Sequence, residues 1–247
     1  MPLKKSPSAT PFCKVCFQAI RAPAWRSLFG GEVPLCSTCQ REMDPRFLRW
    51  SIEIQKTKVP VRAVYYYNEK IRSLLFQFKG CADIELAPIF LGNQGPLLHF
   101  LYWGYTLVPA PSFAAKNVAR GFNHVELMFA PLRLPFLRAL LKVDDVKQAD
   151  LHWPDRQKIK DHLRYDDSVD VLGKKILFVD DLLTSGATAK ACCELLQKHG
   201  AKKVQILVMG FTPADTKKET EQLSSDKETI QSVSGRIPEE KKRVLHK

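Results

Sequence analysis

The chain has 247 residues and 45% hydrophobic content, enough for a sizeable core, which excludes wholesale disorder. With 38 Lys and Arg against 26 Asp and Glu, its formal net charge of +12 favours an anionic partner: a nucleotide, a nucleic acid or a membrane surface. Its start, Met1-Pro2-Leu3-Lys4-Lys5-Ser6-Pro7, lacks the apolar stretch of a signal peptide, and no unbroken apolar run reaches membrane-spanning length. A cytoplasmic protein with no membrane span is expected.

Residues 1–11 read as a polar lead. Cys13-Lys14-Val15-Cys16 and Cys36-Ser37-Thr38-Cys39 follow, separated by the 19 residues from Phe17 to Leu35. That spacing fits a four-thiolate Zn²⁺ site with no open position, hence a structural one in a module too small to be held by burial alone. An iron or iron–sulfur centre uses the same ligands, and a pair of redox dithiols is a further alternative. Lys14, Arg21, Arg26, Arg41, Arg46 and Arg49, with Trp25 and Trp50, make this module either a nucleic-acid contact or a solvated basic surface. The other cysteines, Cys81, Cys192 and Cys193, are placed in core or helix and need no role beyond packing.

Val61 to Tyr67 is rich in β-formers and ends at Asn68. From Glu69 to Lys79, Ile71, Leu74, Leu75 and Phe78 recur at helical spacing, and Gly80 stops the helix. Ile84 to Trp103 reads as one or two helices around a Gly-Asn-Gln-Gly-Pro break. Tyr105 to Pro111 is a strand ending in a Pro-x-Pro turn. Lys116 to Leu127 passes from a basic loop into a helix, with His124 on its surface or in the core. Lys142 to Tyr165 is highly charged and reads as a mobile loop carrying Gln148 and Arg156. Beyond about Pro213 hydrophobic periodicity is lost, as in a solvated tail.

The most informative stretch is Ile176 to Thr188. Ile176–Val179 is a short apolar run, read as a buried parallel strand. Asp180 and Asp181 follow at its carboxyl end, where open α/β sheets place ligands. Thr184, Ser185, Gly186, Ala187 and Thr188 then lead into a helix from Ala189 to His199, and Val204–Met209 supplies the next strand. A small-residue turn at a helix N-terminus presents free N–H groups to an anion, best a phosphate monoester. The acids suit the vicinal hydroxyls of a sugar or a divalent cation. Phosphate and diol together describe a ribose 5-phosphate.

This stretch resembles the 5-phosphoribosyl-1-pyrophosphate (PRPP) motif of type I phosphoribosyltransferases throughout. The order of zinc ribbon, Val64-Tyr65-Tyr66-Tyr67, Phe76-Gln77-Phe78-Lys79-Gly80, Val108-Pro109-Ala110-Pro111, Arg120-Gly121-Phe122-Asn123, Gln148 with Arg156, and the PRPP motif resembles the ComF (competence protein F, or GntX-like) family over about Phe12 to Thr212. The resemblance implies an α/β fold of the type I phosphoribosyltransferase kind, with a mostly parallel sheet flanked by helices and a small N-terminal zinc ribbon. It divides the chain into a flexible lead (1–11), a zinc-ribbon module (12–50), a phosphoribosyltransferase-like domain (51–212) and a polar tail (213–247). It also implies a role in natural competence and DNA uptake, with single-stranded DNA and a competence helicase as partners.

By the same resemblance, Asp180 and Asp181 hold the ribose hydroxyls and Thr184, Ser185, Gly186, Ala187 and Thr188 the 5′-phosphate. Pro109, Ala110 and Pro111 meet the pyrophosphate with Mg²⁺, and Arg120 and Arg156 are the candidate catalytic cations. Two departures stand out. His124 replaces a glutamine of the family pattern, and Thr184 stands where purine salvage enzymes carry a third acid that meets the base. Three functions stay open: an active phosphoribosyltransferase of nucleotide metabolism, a non-catalytic partner of single-stranded DNA or a helicase, and a PRPP sensor.

Overall fold

In the computed structural model, residues 12–20, 35–91, 94–143 and 162–212 are described. The expectations placed on residues 1–11, Arg21, Trp25, Arg26, Gln148, Arg156 and the 213–247 tail lie outside them. The elements below belong to one unit, Met1–Phe211, and a second unit begins at Thr212.

In chain order these are α1 (Ser37–Met43), β1 (Pro45–Ile54), β2 (Thr57–Tyr66), α2 (Glu69–Gly80), α3 (Ala87–Leu91), α4 (Gly95–Leu101), β3 (Tyr105–Pro109), α5 (Ala114–Arg120), α6 (His124–Phe129), β4 (Leu140–Lys142), β5 (Leu163–Tyr165), β6 (Lys175–Leu183), α7 (Ala187–Lys198) and β7 (Lys203–Phe211). The main sheet runs β1-β2-β7-β6-β3. β1 and β2 form an antiparallel hairpin, and the other neighbours pair in parallel. β4 and β5 make a separate two-stranded sheet.

Strand β6, an interior strand, shows why the sheet forms. Ile176, Leu177, Phe178 and Val179 are each 0% exposed, as expected of a parallel strand covered on both faces. Strand alternation sends Leu177 and Val179 into one core and Ile176 and Phe178 into the other. The first core holds Ile71, Leu74, Leu75 and Phe78 of α2 together with Cys13 and Cys39, so the cysteine module shares it. The second holds Ala189, Cys192, Cys193 and Leu196 of α7. Each large apolar side chain so buried contributes roughly 1.5–3 kcal/mol.

Helix α2 begins where Asn68 Oδ1 accepts the Ile71 N–H at 2.8 Å, a side-chain N-cap. Three expectations change. The basic stretch before Gly121 is helical (α5), because Gly121 at φ +83° supplies its left-handed C-cap. Cys81 caps α2 but is exposed, since the helix has ended and the chain turns outward there. Residues Pro45 to Ile54, which the sequence reading splits between the zinc-ribbon module (12–50) and the domain that follows (51–212), form one continuous edge strand of the main sheet.

Candidate functional site

The carboxyl end of β3 lies beside the middle of β6, which runs on through Asp180 and Asp181 to Leu183. Pro109 pairs with Val179, and the Ala110 N–H donates to the Val179 carbonyl at 2.8 Å. The Pro109-Ala110-Pro111 turn therefore emerges beside Asp180. Along β6 the chain then runs through Thr184 and Ser185 to Gly186, whose φ of +70° makes it the left-handed N-cap of α7. Thr184, Ser185 and Thr188 are exposed around that turn. α7 has 12 residues, and its first-turn N–H groups have no intrahelical acceptor; Ser185 Oγ offers the Ala187 N–H only a long 3.5 Å contact. The Thr184–Thr188 cradle is thus laid out as an anion site at the sheet's carboxyl end.

The two carboxylates are not equivalent, because alternation along β6 turns them to opposite faces. Asp180 lies on the α7 side, where its Oδ1 accepts the Asp181 N–H at 2.8 Å. Burial, and then the Asp181 charge, push its carboxyl well above the ordinary carboxylate value. Asp181 is 8% exposed on the α2 and α6 side, paired with Lys79 and 3.6 Å from Nε2 of His124. Burial works to raise it too, but the His124 hydrogen bond and the Lys79 charge outweigh that and hold it below its ordinary value.

A second layer of contacts fixes the basic groups. The Arg120 guanidinium donates to the Lys79 carbonyl at 2.9 Å and to Nδ1 of His124 at 2.8 Å. A guanidinium only donates, so Nδ1 accepts and the imidazole proton sits on Nε2, facing Asp181. Arg120, proposed from sequence as a pyrophosphate cation, is therefore engaged in orienting His124 and the end of α2. Sequence reasoning placed Lys79 in the family-like Phe76–Gly80 piece without a site role and favoured a surface or core role for His124 over a catalytic one. Only the packing of α2 brings Lys79 to Asp181, across 102 residues of chain.

Beside the Pro-x-Pro turn is a cavity of about 570 Å³, walled by Pro109–Ser112, α5, Phe122 and Arg138. Ser112 Oγ and Asn117 Oδ1 are buried in its wall without a hydrogen-bond partner among the described residues. Arg138 is held in a bidentate pair by Glu126 at 2.7 and 2.8 Å.

At the other end of the unit, the Cys13, Cys16, Cys36 and Cys39 sulfurs all lie within 4.8 Å of one another, with Cys16 and Cys36 at 3.7 Å. Sulfurs about 2.3 Å from a tetrahedral ion stand roughly 3.8 Å apart, so the four fit one ion. The Cys36 sulfur also accepts the Cys39 N–H at 3.4 Å, which fixes the second knuckle at the start of α1.

The phosphoribosyl transferase domain family matches residues 129–235. Over that stretch the chain resembles a phosphoribosyl transferase domain. Competence protein ComFC of Streptococcus pneumoniae is 28% identical over 144 residues, covering 58% of this chain and 64% of that protein, so the resemblance to the ComF family holds. Adenine phosphoribosyltransferase of Mycoplasmopsis pulmonis is 33% identical over 91 residues, 37% of this chain and 54% of that one. Ribose-phosphate pyrophosphokinase of Thermococcus kodakarensis is 50% identical over 38 residues, 15% of this chain and 14% of that one. The chain thus spans less than two thirds of each of these relatives. Among the described residues no helix is long and apolar enough to cross a membrane.

Proposed function

We propose that the chain binds PRPP, or a related ribose 5-phosphate, at the carboxyl ends of β6 and β3, and serves natural competence and DNA uptake. The observation that supports this reading is the left-handed Gly186 turn, which opens a 12-residue helix shortly after the half-buried Asp180. Thr184–Thr188 hold the 5′-phosphate through backbone N–H groups and hydroxyls. Asp180, on the α7 side, accepts the ribose hydroxyls; Asp181 does so only in competition with Lys79 and His124. The Pro109–Pro111 turn would meet the pyrophosphate, and Mg²⁺ bound with it would supply positive charge there. Zn²⁺ in the four-cysteine site is structural.

For group transfer, the leaving pyrophosphate is the place where cations and positioning lower the barrier. Arg120 is turned toward His124, and Thr184 stands where a base-facing acid would be. Those two features favour binding without turnover, either as a PRPP sensor or as a partner of the uptake machinery such as its helicase. The test is Mg²⁺-dependent PRPP binding followed by release of pyrophosphate with candidate acceptors. Binding with release supports a transferase, and binding without release for any acceptor supports the sensor or partner. Absence of binding ends the ribose-phosphate reading.

A further inference from the structure

Strand β1 ends the order β1-β2-β7-β6-β3, and among the described residues no strand pairs with its outer edge. The hairpin with β2 fixes which backbone groups that edge presents. Ile54 and Thr57 flank a two-residue turn, Gln55 and Lys56, at φ +46° and +64°. Such a turn is closed by the Thr57 N–H donating to the Ile54 carbonyl, so Ile54 is a hydrogen-bonded position. Alternation then points the backbone groups of Leu48, Trp50, Ile52 and Ile54 toward β2. Those of Arg49, Ser51 and Glu53 point outward, without a backbone partner among the described residues.

Side chains alternate in step. Leu48, Trp50 and Ile52 pack on the second core, where each stays half-buried, and Ile54 lies within it. The Trp50 ring rests on Phe211, their centres 4.5 Å apart. Arg49, Ser51 and Glu53 are exposed on the opposite face. Neither Arg49 nor Glu53 forms a salt bridge among the described residues. Before Leu48 a register shift and Phe47, at φ +48°, interrupt the strand, so its regular part runs from Leu48 to Ile54.

Turned antiparallel about Ser51, that segment is complementary to itself. Ser51 meets the partner's Ser51, Arg49 the partner's Glu53, Trp50 the partner's Ile52 and Leu48 the partner's Ile54. Arg49, Ser51 and Glu53 then fall in hydrogen-bonded pairs, so every outward donor finds an acceptor. Trp50 and Ile52 fall in the closer, non-hydrogen-bonded pairs, where side chains pack best. No other centre along this segment pairs the Arg with the Glu. Centring on Trp50 sets Arg49 against Ser51, and centring on Arg49 sets two like charges together.

We infer that β1 is a dimerisation edge, which joins two copies of this chain about a two-fold axis at Ser51 and merges two five-stranded sheets into one. The order of charges and apolar side chains selects that occupant, because an isologous contact requires self-complementarity and a foreign strand does not. Pairing also caps an edge that otherwise recruits strands unspecifically. The shared strand is roughly 23 Å long, at about 3.3 Å per residue, which makes a small and reversible interface.

The experiment is sedimentation velocity of the zinc-loaded full chain, over concentrations up to roughly 100 μM. Wild type is expected to pass from 28.1 kDa to twice that mass. Arg49→Glu sets acid against acid in both charged pairs, and Glu53→Arg sets base against base. Each raises the dimer dissociation constant at least about tenfold. Mixing the two single variants restores association, because one copy then carries only acids at the paired positions and the other only bases. The double variant Arg49→Glu with Glu53→Arg restores it as well. Ser51→Pro removes the donor at the axis, on an edge where proline leaves the hairpin intact, and abolishes the dimer. Circular dichroism and melting confirm that each variant is folded. A wild type that stays monomeric throughout overturns the inference. So does a dimer indifferent to Arg49→Glu and Ser51→Pro, or a pair of single variants that fail to associate when mixed.

Discussion

The two ends of the parallel sheet treat charge in opposite ways. At the carboxyl end the charged groups around Asp181 are bonded: Asp181 to Lys79 and His124, and Arg120 to His124 and the Lys79 carbonyl. At the amino end, Arg49, Lys58, Lys175 and Lys203 are exposed without a salt-bridge partner among the described residues. The first arrangement is costly to build and hard to alter, as a preorganised small-molecule site must be. The second is cheap and tolerant of substitution, as a solvated surface is. Both rest on the same strands.

The largest effect expected lies in the cysteine cluster, which supports the carboxyl end through the shared core. Cys13→Ser removes a sulfur from the four-thiol site. It should release bound zinc, read by metal analysis, and disorder the N-terminal module; structural zinc supplies about 10 kcal/mol or more in small modules. A wild type that is metal-free and equally stable removes the structural-metal assignment.

Next, Asp181→Asn should destabilise by about 2 kcal/mol, less than a fully buried pair would cost because Lys79 keeps some solvent. Lys203→Gln, at the other end, should stay within about 0.5 kcal/mol in the same denaturant titration. Equal effects would erase the contrast between the two ends. Gly186→Ala should cost about 1 kcal/mol, because a Cβ at φ +70° is strained although the nearest atom, Leu183 Cδ1, is 3.8 Å away. It should also weaken PRPP binding.

The most diagnostic stability effect is a gain. Asp180 is held above its ordinary value, so its contribution to stability is full below about pH 4 and is lost as pH rises through its raised value. Asp181 is held below its ordinary value, so its contribution is present above about pH 4 and is lost as pH falls through its depressed value. Asp180→Asn should therefore be more stable than wild type at pH 7, with the gain vanishing toward pH 4, while PRPP binding is lost. A variant less stable than wild type at pH 7 would show that Asp180 is not a strained, desolvated acid.

Much of this was legible in the sequence because it is local. The apolar run Ile176–Val179, the two acids, Gly186 and the helix behind it are contiguous, and their spacing alone dictates strand, turn and helix N-terminus. The cysteine knuckles read equally well, since ligand spacing is a local property. The division of labour between Asp180 and Asp181 follows from strand alternation, but their partners do not. Lys79 and His124 reach Asp181 only through the packing of α2 and α6, which no periodicity reports. The edge strand β1 was hidden by its charge, for an edge strand carries polar residues on the face it leaves open, as Arg49, Ser51 and Glu53 do.

The most direct test of the ribose-phosphate site is calorimetric titration of the zinc-loaded protein with PRPP, with and without Mg²⁺. Saturable heat that requires Mg²⁺ and is lost in Asp180→Asn is the predicted result, with a companion stabilisation of roughly 2.7 kcal/mol at a hundred times Kd. No heat and no thermal shift at high PRPP, in folded protein with its metal in place, would contradict it.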